Sequence, residues 1–425
     1  MTTITTRVSR WLEHIKALAG DIPDRLPTSA GEARASEYCR RGFAAAGLAP
    51  RTDEFGSAGS VFLPHQVVAV LMLAGFALYR IGFGFPALKW LALLVSVFAV
   101  TCEIMEITLR PHLIQALLPK RPSQNVYAVV EPQAGRGAAG RATEAAGGTG
   151  RVAAGAVGGA TAPIRDLVLI GHVDSQRTPI IFSTPGWMRA YRLFSTVAFV
   201  SFIGQVVLYA GGLLLGWPWA WTVSIFTAVM AGLLLSLCLQ AHRTRSTAGA
   251  NDNATGAGLV LTLAEDLAAA PLTRTRVWLL ASGCEEALHE GAKTFFARHK
   301  GEMTEPRAVA LEMLGCAGPA WLESEGFVLP LRPAPELLRL AQRLAAENPD
   351  LGAYPGKVMG GVTEMSDALL AGVPAITLMG ITRQGVAPYW HKPSDTVENM
   401  DAASGGALGR NYRFVRAFIE ALDKA

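Results

Sequence analysis

The chain has 425 residues and a net charge of +4, with hydrophobic residues at 51% and charged residues at only 17%. Because globular chains usually carry about 25% charged residues, this deficit indicates segments that lie in a membrane. The Lys and Arg residues form no dense stripe, so the composition argues against a nucleic-acid partner.

Residues 1–60 are predicted to form the N-terminal part of a soluble domain. They are polar and helical in character up to Gly47, and a short polar strand is expected at 51–55. The five cysteines of the chain include no CxxC pair, which indicates reduced thiols facing a reducing compartment.

Residues 61–106 predict a first transmembrane hairpin. The run 61–79 has no charged residue, and the run 86–105 has Lys89 near its start and Glu103 near its end. Each run approaches the ~20 residues that span a bilayer. The alternative is a pair of helices buried inside the soluble domain.

Residues 107–190 return to the soluble domain. Strands are expected at 125–131 and at 166–171, the second ending just before His172. The Gly- and Ala-rich residues 134–162 have too little bulk for a core, and they predict a mobile surface loop.

Residues 191–242 predict a second transmembrane hairpin, because this stretch has no charged residue after Arg192. The run breaks at 216–221, where three tryptophans suit a membrane interface. The expected helices are 194–215 and 219–240.

Four spans leave both ends of the chain on the same side of a membrane. The turn at 216–221 has no Lys or Arg, although Arg80 and Lys89 flank the first turn. The positive-inside rule therefore predicts a multi-pass cell-membrane protein with its soluble domain in the cytoplasm. The basic residues on the domain side are Arg110, Lys120, Arg121, Arg189, Arg192, Arg243 and Arg245.

Residues 243–425 alternate between helical and strand patterns, which implies an α/β sheet with helices on both faces. The expected strands are 277–282, 308–313 and 375–379, and the expected helices are 258–270, 291–299, 334–347, 366–371 and 404–423. The two hairpins therefore interrupt one domain.

Metal-binding residue types follow several of these strands. Sites in open α/β sheets gather at the carboxyl ends of strands, so residues far apart in sequence can meet there. Adjacent Glu285 and Glu286 repel each other unless a cation separates their roles. Two histidines with carboxylates suit zinc, and a shared aspartate can bridge two ions. The candidate ligands are His172, Asp252, Glu286, Glu312 and His391.

The order of these motifs resembles the M28 family of co-catalytic zinc peptidases, whose best-known members are aminopeptidases. The matching elements are HVD at 172–174, GANDNATG at 249–256, EE at 285–286, Glu312, SD at 366–367 and HKPSDT at 391–396. The resemblance implies a zinc-peptidase mixed sheet of the phosphorylase/hydrolase-like type, flanked by helices, here with four inserted transmembrane helices.

The resemblance also implies roles for the candidate ligands. By family analogy, His172 and Glu312 serve one zinc ion, and Glu286 and His391 serve the other. Asp252 would bridge both ions. The remaining carboxylate, Glu285, would be the general base on the bridging water, since a group that binds no metal must move the proton.

Five further residues are expected around the ligands. Asp174 would orient His172 through its other ring nitrogen, while Asp367 and Asp395 would brace the site. Tyr389 is a candidate for polarising a substrate carbonyl, with a packing role as the alternative. His289 follows the glutamate pair and is expected to be a non-ligand.

The sequence thus predicts a membrane-anchored dinuclear zinc hydrolase that acts as an aminopeptidase on peptides or small amides. The alternatives are a zinc amidohydrolase acting on a non-peptide amide and a non-catalytic membrane scaffold with a peptidase fold. The second hairpin lies between His172 and Asp252, so the mouth of the site is expected near the bilayer surface. The sequence leaves the oligomeric state open.

Overall fold

The computed structural model describes residues 2–134, 165–326, 330–358, 360–403 and 406–425. Eight strands lie in these ranges and form one mixed sheet in the order β1-β2-β4-β3-β5-β8-β6-β7. In chain order they are β1 Arg51–Ser57, β2 Arg121–Val130, β3 Arg165–His172, β4 Thr275–Ser282, β5 Arg307–Glu312, β6 Ala320–Ser324, β7 Tyr354–Lys357 and β8 Ala375–Met379.

The centre of the sheet is parallel. β4, β3, β5 and β8 run in the same direction, whereas β2 and β6 pair antiparallel to this group. The central strands are continuous apolar runs because both faces of the sheet are covered. The fold class predicted from the sequence is confirmed, but β6 and β7 were not predicted.

Helices cover both faces of the sheet. One face carries α1 Thr2–Ile15, α2 Ala30–Ala45, α8 Thr255–Ala269, α10 Pro335–Glu347 and α13 Ala407–Lys424, whose buried side chains share one core with the sheet. The other face carries α9 Glu290–His299 and α11 Glu364–Leu370. Two short helices are α5 Leu113–Leu117 and α12 Val397–Ala403. The glycine- and alanine-rich loop predicted at 134–162 lies almost wholly outside the described residues.

Four helices are long and apolar enough to cross a membrane by length and composition. They are α3 Phe62–Ile81, α4 Ala87–Ile107, α6 Pro185–Leu214 and α7 Ala220–His242. α6 begins at Pro185 instead of residue 194, because Thr184 caps it by accepting a hydrogen bond from the Trp187 N–H.

The four apolar helices pack together as one bundle. Between 28% and 39% of each apolar window is buried, and large side chains such as Leu94 and Val200 are more than 60% exposed. Inside the bundle, the Gln205 side-chain amide donates to the Ser96 hydroxyl and to the Met72 carbonyl. An exposed apolar surface of this extent fits contact with lipid, and the two transmembrane hairpins stay a prediction.

Candidate metal centre

The candidate site lies at the carboxyl ends of three neighbouring parallel strands. His172 is the last residue of β3 and Glu312 is the last residue of β5, while Glu285 and Glu286 occupy a short turn after β4. The register pairs His172 with Ser282. The ends of these strands therefore bring a histidine and three glutamates to one edge of the sheet.

Asp252 reaches the same edge because α8 packs unusually close to β3. A Cβ atom on Gly171 would lie 2.4 Å from the carbonyl carbon of Gly256, and one on Gly256 would lie 2.2 Å from the Leu311 oxygen. Only glycine fits at both positions. The two glycines thus allow the turn before α8 to place Asp252 beside His172.

Asp252 directs one carboxylate oxygen to each histidine. Its Oδ1 lies 3.5 Å from Nε2 of His172, and its Oδ2 lies 3.3 Å from Nε2 of His391. Oε2 of Glu312 lies 3.6 Å from the His172 nitrogen, and Oε1 of Glu286 lies 3.1 Å from the His391 nitrogen. The five predicted ligands are therefore together, as two groups that share Asp252.

These separations fit zinc. Two ligand atoms at ~2.1 Å from one tetrahedral ion lie about 3.4 Å apart. The site residues are at most 8% exposed, and Oδ2 of Asp252 is buried without a hydrogen-bond partner. A buried carboxylate oxygen without a hydrogen bond is costly, and a bound cation would compensate for it.

The charges of the site also favour a bound cation. Burial raises the pKa of Glu312 to about 8. Burial alone lowers the pKa of His172, but the carboxylates of Glu285 and Glu312 raise it well above its usual value. This crowding of negative charge favours cation binding.

Glu285 stands apart from the two ligand groups. Its Oε2 is 3.8 Å from Nε2 of His172, and its Oε1 is 3.3 Å from Nε2 of His289. Burial raises the pKa of Glu285 well above its usual value. However, His172, Glu285 and Glu286 also form a possible metal-binding group, so the role of Glu285 needs a direct test.

His289 is the main residue that the sequence analysis set aside. Its Nδ1 lies 2.7 Å from Oδ2 of Asp367, and its other nitrogen faces Glu285. All three side chains are buried. The contact between Nδ1 and the Asp367 carboxylate orients the ring so that Nε2 faces Glu285. The only sequence signal was a histidine four residues after Glu285.

Asp174 and Asp395 brace the backbone of the site. The Asp174 carboxylate accepts the N–H groups of Glu285 and Glu286, at 3.1 and 3.0 Å. Nδ1 of His172 lies 3.1 Å from the Asp174 carbonyl oxygen, and 3.6 Å from its carboxylate. Asp174 therefore lies at the other ring nitrogen of His172, where the sequence analysis expected it, and its main-chain carbonyl makes the closer contact.

Asp395 holds the turn that carries Asp252. Its two oxygens accept the N–H groups of Asn251 and Asp252, at 2.7 and 3.0 Å. Because Asp395 lies four residues after His391, these bonds tie the two loops together.

A buried arginine lies beneath the site. The Arg25 guanidinium donates to the carbonyl oxygens of Val173, Leu18, Ala248 and Gly249, at 2.6–2.9 Å. Burial lowers its pKa to about 10. Nothing in the polar N-terminal sequence indicated this role, since its partners lie up to 224 residues away.

Aromatic rings cover His391. The ring of Phe182 lies 4.4 Å from the His391 ring, and the ring of Trp390 lies 5.0 Å from it, centroid to centroid. Tyr389 is half-buried, and its backbone carbonyl accepts the Lys392 N–H. Its role toward a substrate carbonyl stays a prediction.

Strained backbone surrounds the site. Several non-glycine residues have positive φ, which costs of order 1–3 kcal/mol each and is typical of functional sites. Those next to the ligand residues are Cys284, Leu288, His289, Met313 and His391.

Residues 236–415 match the Peptidase family M28. The resemblance to the M28 family is confirmed. The M28 match includes every candidate ligand except His172, which precedes it. A comparison with curated protein sequences gave no match.

Solved structures with a similar fold include both peptidases and cyclases. A glutaminyl cyclase from Fimbriiglobus ruber has a TM-score of 0.53 at 14% identity, over 97% of this chain and 94% of its own. A leucine aminopeptidase precursor from Bacteroides thetaiotaomicron has a TM-score of 0.53 at 12% identity, over 97% and 96%. Glutaminyl cyclase from Porphyromonas gingivalis has a TM-score of 0.53 at 10% identity, over 98% of both chains. At these identities the likeness shows the M28-type fold alone.

Proposed function

We propose that this chain is a membrane-anchored hydrolase with two zinc ions that removes N-terminal residues from peptides. One observation carries the proposal: the Asp252 carboxylate turns one oxygen toward each histidine. His172 and Glu312 would hold one ion, His391 and Glu286 the other, with Asp252 between them. The bound ions would supply an acidified water and stabilise the charge that develops on the substrate carbonyl.

The side chains of the protein carry out the proton transfers. Glu285 takes a proton at its carboxylate and returns it to the leaving amine, which is the work of a general base and acid. Its raised pKa, caused first by burial, suits this exchange. His289 holds Oε1 of Glu285 from the other side, and Asp367 fixes the orientation of His289.

Metal content and substrate choice test this proposal together. The intact purified chain should contain about two zinc ions, and Asp252→Ala should lose them along with hydrolysis. Leucine p-nitroanilide should be hydrolysed, whereas its N-acetylated form should not. Cleavage of both compounds favours the amidohydrolase, and zinc-free inactive protein favours the scaffold. Because similar folds include glutaminyl cyclases, a glutaminyl peptide should also be tested for cyclisation without release of glutamine.

We also propose that the four apolar helices anchor the catalytic domain at the cytoplasmic face. The turn around Trp217 and Trp219 has no basic residue, and basic residues such as Arg243 and Arg245 flank the domain side. A cysteine introduced at Gly216 should react with an impermeant maleimide from outside intact cells, and one at the exposed Glu336 should not. The reverse pattern would overturn the assignment.

A further inference from the structure

We infer that the substrate carries a long hydrocarbon chain, which lies between the apolar helices while its amide bond is at the metal centre. This inference rests on the proposed hydrolase function and names its substrate class. It starts from a cavity of about 940 Å³ that is lined by α3, α4, α6 and α7 on one side and by loops of the catalytic domain on the other. Ligand cavities of this size hold small molecules and short chains.

The cavity extends to residues that adjoin the metal centre. Its lining includes Phe182 and Trp390, whose rings lie against His391. It also includes Leu288, which directly precedes His289. A chain in the cavity would therefore end beside the residues that hold the ions and move the proton.

The other end of the cavity opens toward the surface that is expected to face lipid. Leu193 and Thr196 line it on α6, and Leu193 is 68% exposed. Ile107, the last residue of α4, and Leu109 also line the cavity. An opening between these helices would admit a chain from a bilayer without passage through water.

The walls between these ends are mainly apolar. Phe199, Phe202 and Ala198 contribute from α6. The charged side chains on the wall are largely paired: His65 lies 3.0 Å from the carboxylate of Glu103. Walls that are mainly apolar bind hydrocarbon in preference to a polar peptide.

The composition of its wall distinguishes this cavity from a pocket for a single amino-acid side chain. A pocket for one amino-acid side chain would be closed by the catalytic domain alone. Here the bundle supplies half of the wall, so an occupant must extend into the bundle. The hydrocarbon chain can be attached to the acyl side or to the amine side of the amide bond. Substrates of both kinds are therefore tested.

The test compares amides of different chain length in a variant with a blocked cavity. Ser195 is half-buried and lines the cavity, whereas Val200 is 62% exposed on the same helix. Ser195→Trp should lower kcat/KM at least about tenfold for leucine dodecylamide, whose chain is on the amine side, and for 2-aminotetradecanamide, whose chain is on the acyl side and whose amine is free. Displacing two or more methylenes from the cavity is worth that much. The same substitution should leave leucine butylamide within about twofold. The matched control Val200→Trp should leave all three substrates unchanged.

The outcomes separate the two proposals. If short and long amides are hydrolysed alike and Ser195→Trp affects neither or both equally, the chain inference is wrong while the hydrolase function stands. If no amide is hydrolysed by the zinc-loaded wild-type chain, the proposed function itself fails. Zinc content and gel-filtration profile of each variant must match the wild type.

A labelling experiment gives a readout that does not depend on turnover. A dodecylamide with a diazirine at its chain end should label peptides of α4 and α6 in the wild type. Labelling of the cavity residues should disappear in Ser195→Trp. Equal labelling of both proteins, or labelling confined to the exposed outer residues of the bundle, would overturn the inference.

Discussion

Glu285 and Glu286 are adjacent, and the proposed mechanism gives them different work. Replacing Glu285 by Gln keeps the shape of the side chain but removes its ability to accept a proton. In the wild type, the Glu285 oxygen nearest to Nε2 of His172 lies 3.8 Å from it. The histidine-to-carboxylate distances within the two ligand groups are shorter, at 3.1–3.6 Å. We therefore expect Glu285→Gln to keep both zinc ions and to lower kcat by about 10²–10⁴-fold, or roughly 3–5 kcal/mol in the barrier.

Glu286→Gln should behave differently. Its Oε1 lies 3.1 Å from Nε2 of His391, and its Oε2 accepts a hydrogen bond from the Gln176 amide. A neutral amide is a weak zinc ligand, so this variant should retain about one ion per chain and lose activity as a consequence.

The assay measures zinc by mass spectrometry after gel filtration and kcat on leucine p-nitroanilide with the same samples. Added zinc should restore part of the activity of Glu286→Gln and none of that of Glu285→Gln. Loss of zinc from Glu285→Gln would refute the division of roles, and it would assign Glu285 to the group that it can form with His172 and Glu286.

Three further substitutions test the surroundings of the site. His289→Leu should keep zinc but lower kcat about 10–100-fold, because Glu285 loses the partner that Asp367 orients. Arg25→Leu should lower the free energy of unfolding by at least about 3 kcal/mol in chemical denaturation, because it leaves several buried carbonyl oxygens without a donor. Asp423→Asn should cost about 1 kcal/mol at pH 7, and the difference from wild type should close below about pH 4.

The direction of the pH dependence predicted for Asp423→Asn follows from the contacts of Asp423. Burial acts against the charged form, but the N–H groups of Thr273, Arg274 and Thr275 donate to the carboxylate and lower its pKa. Because the pKa of Asp423 is lower in the folded chain than in the unfolded chain, its carboxylate stabilises the wild type above the unfolded pKa, near 3.9. This stabilisation is lost as the pH falls through the pKa of the folded chain. A constant difference between the two proteins from pH 7 to pH 3 would contradict this account.

Exposed residues of the same type provide the controls. Arg34 forms one exposed ion pair with Asp24 at 3.0 Å, so Arg34→Leu should change stability by less than about 1 kcal/mol. Glu420 lies on the same helix as Asp423 and pairs with Arg416 at the surface, so Glu420→Gln should show little pH-dependent effect. Equal losses for Arg25→Leu and Arg34→Leu would show that the buried carbonyl contacts are not what Arg25 contributes. For His289→Leu, loss of zinc would indicate a ligand role.

The central strands and the edge strand β1 could be predicted from the sequence, whereas β6 and β7 at the other side of the sheet could not. β3, β4, β5 and β8 are continuous apolar runs because both faces are buried. β7 is four residues long and includes Pro355 and Gly356, which are poor strand formers, and it exists through its pairing with β6. Tertiary contact, rather than local preference, defines such a strand.

The same distinction applies to the site. The ligand residues could be anticipated because they follow strand patterns in an order that resembles a known family. His289 and Arg25 could not, because their importance comes from contacts with Asp367 and with the loops at Val173 and Ala248. Local sequence has no signal for partners that are this distant, and so the network behind the ligands had to come from the structure.

Short segments connect the inserted helices α6 and α7 to the metal centre. The chain leaves and re-enters the domain at one β-bridge between Arg177 and Ser246, so the insertion adds helices without separating the loops on either side of it. The residue before the bridge, Gln176, donates to Glu286, and the residue after it, Thr247, donates to the carbonyl of Asp395. Gln176 and Thr247 thus connect the two ends of the inserted helix pair to the candidate ligand Glu286 and to the loop of Asp395, which holds the turn of Asp252.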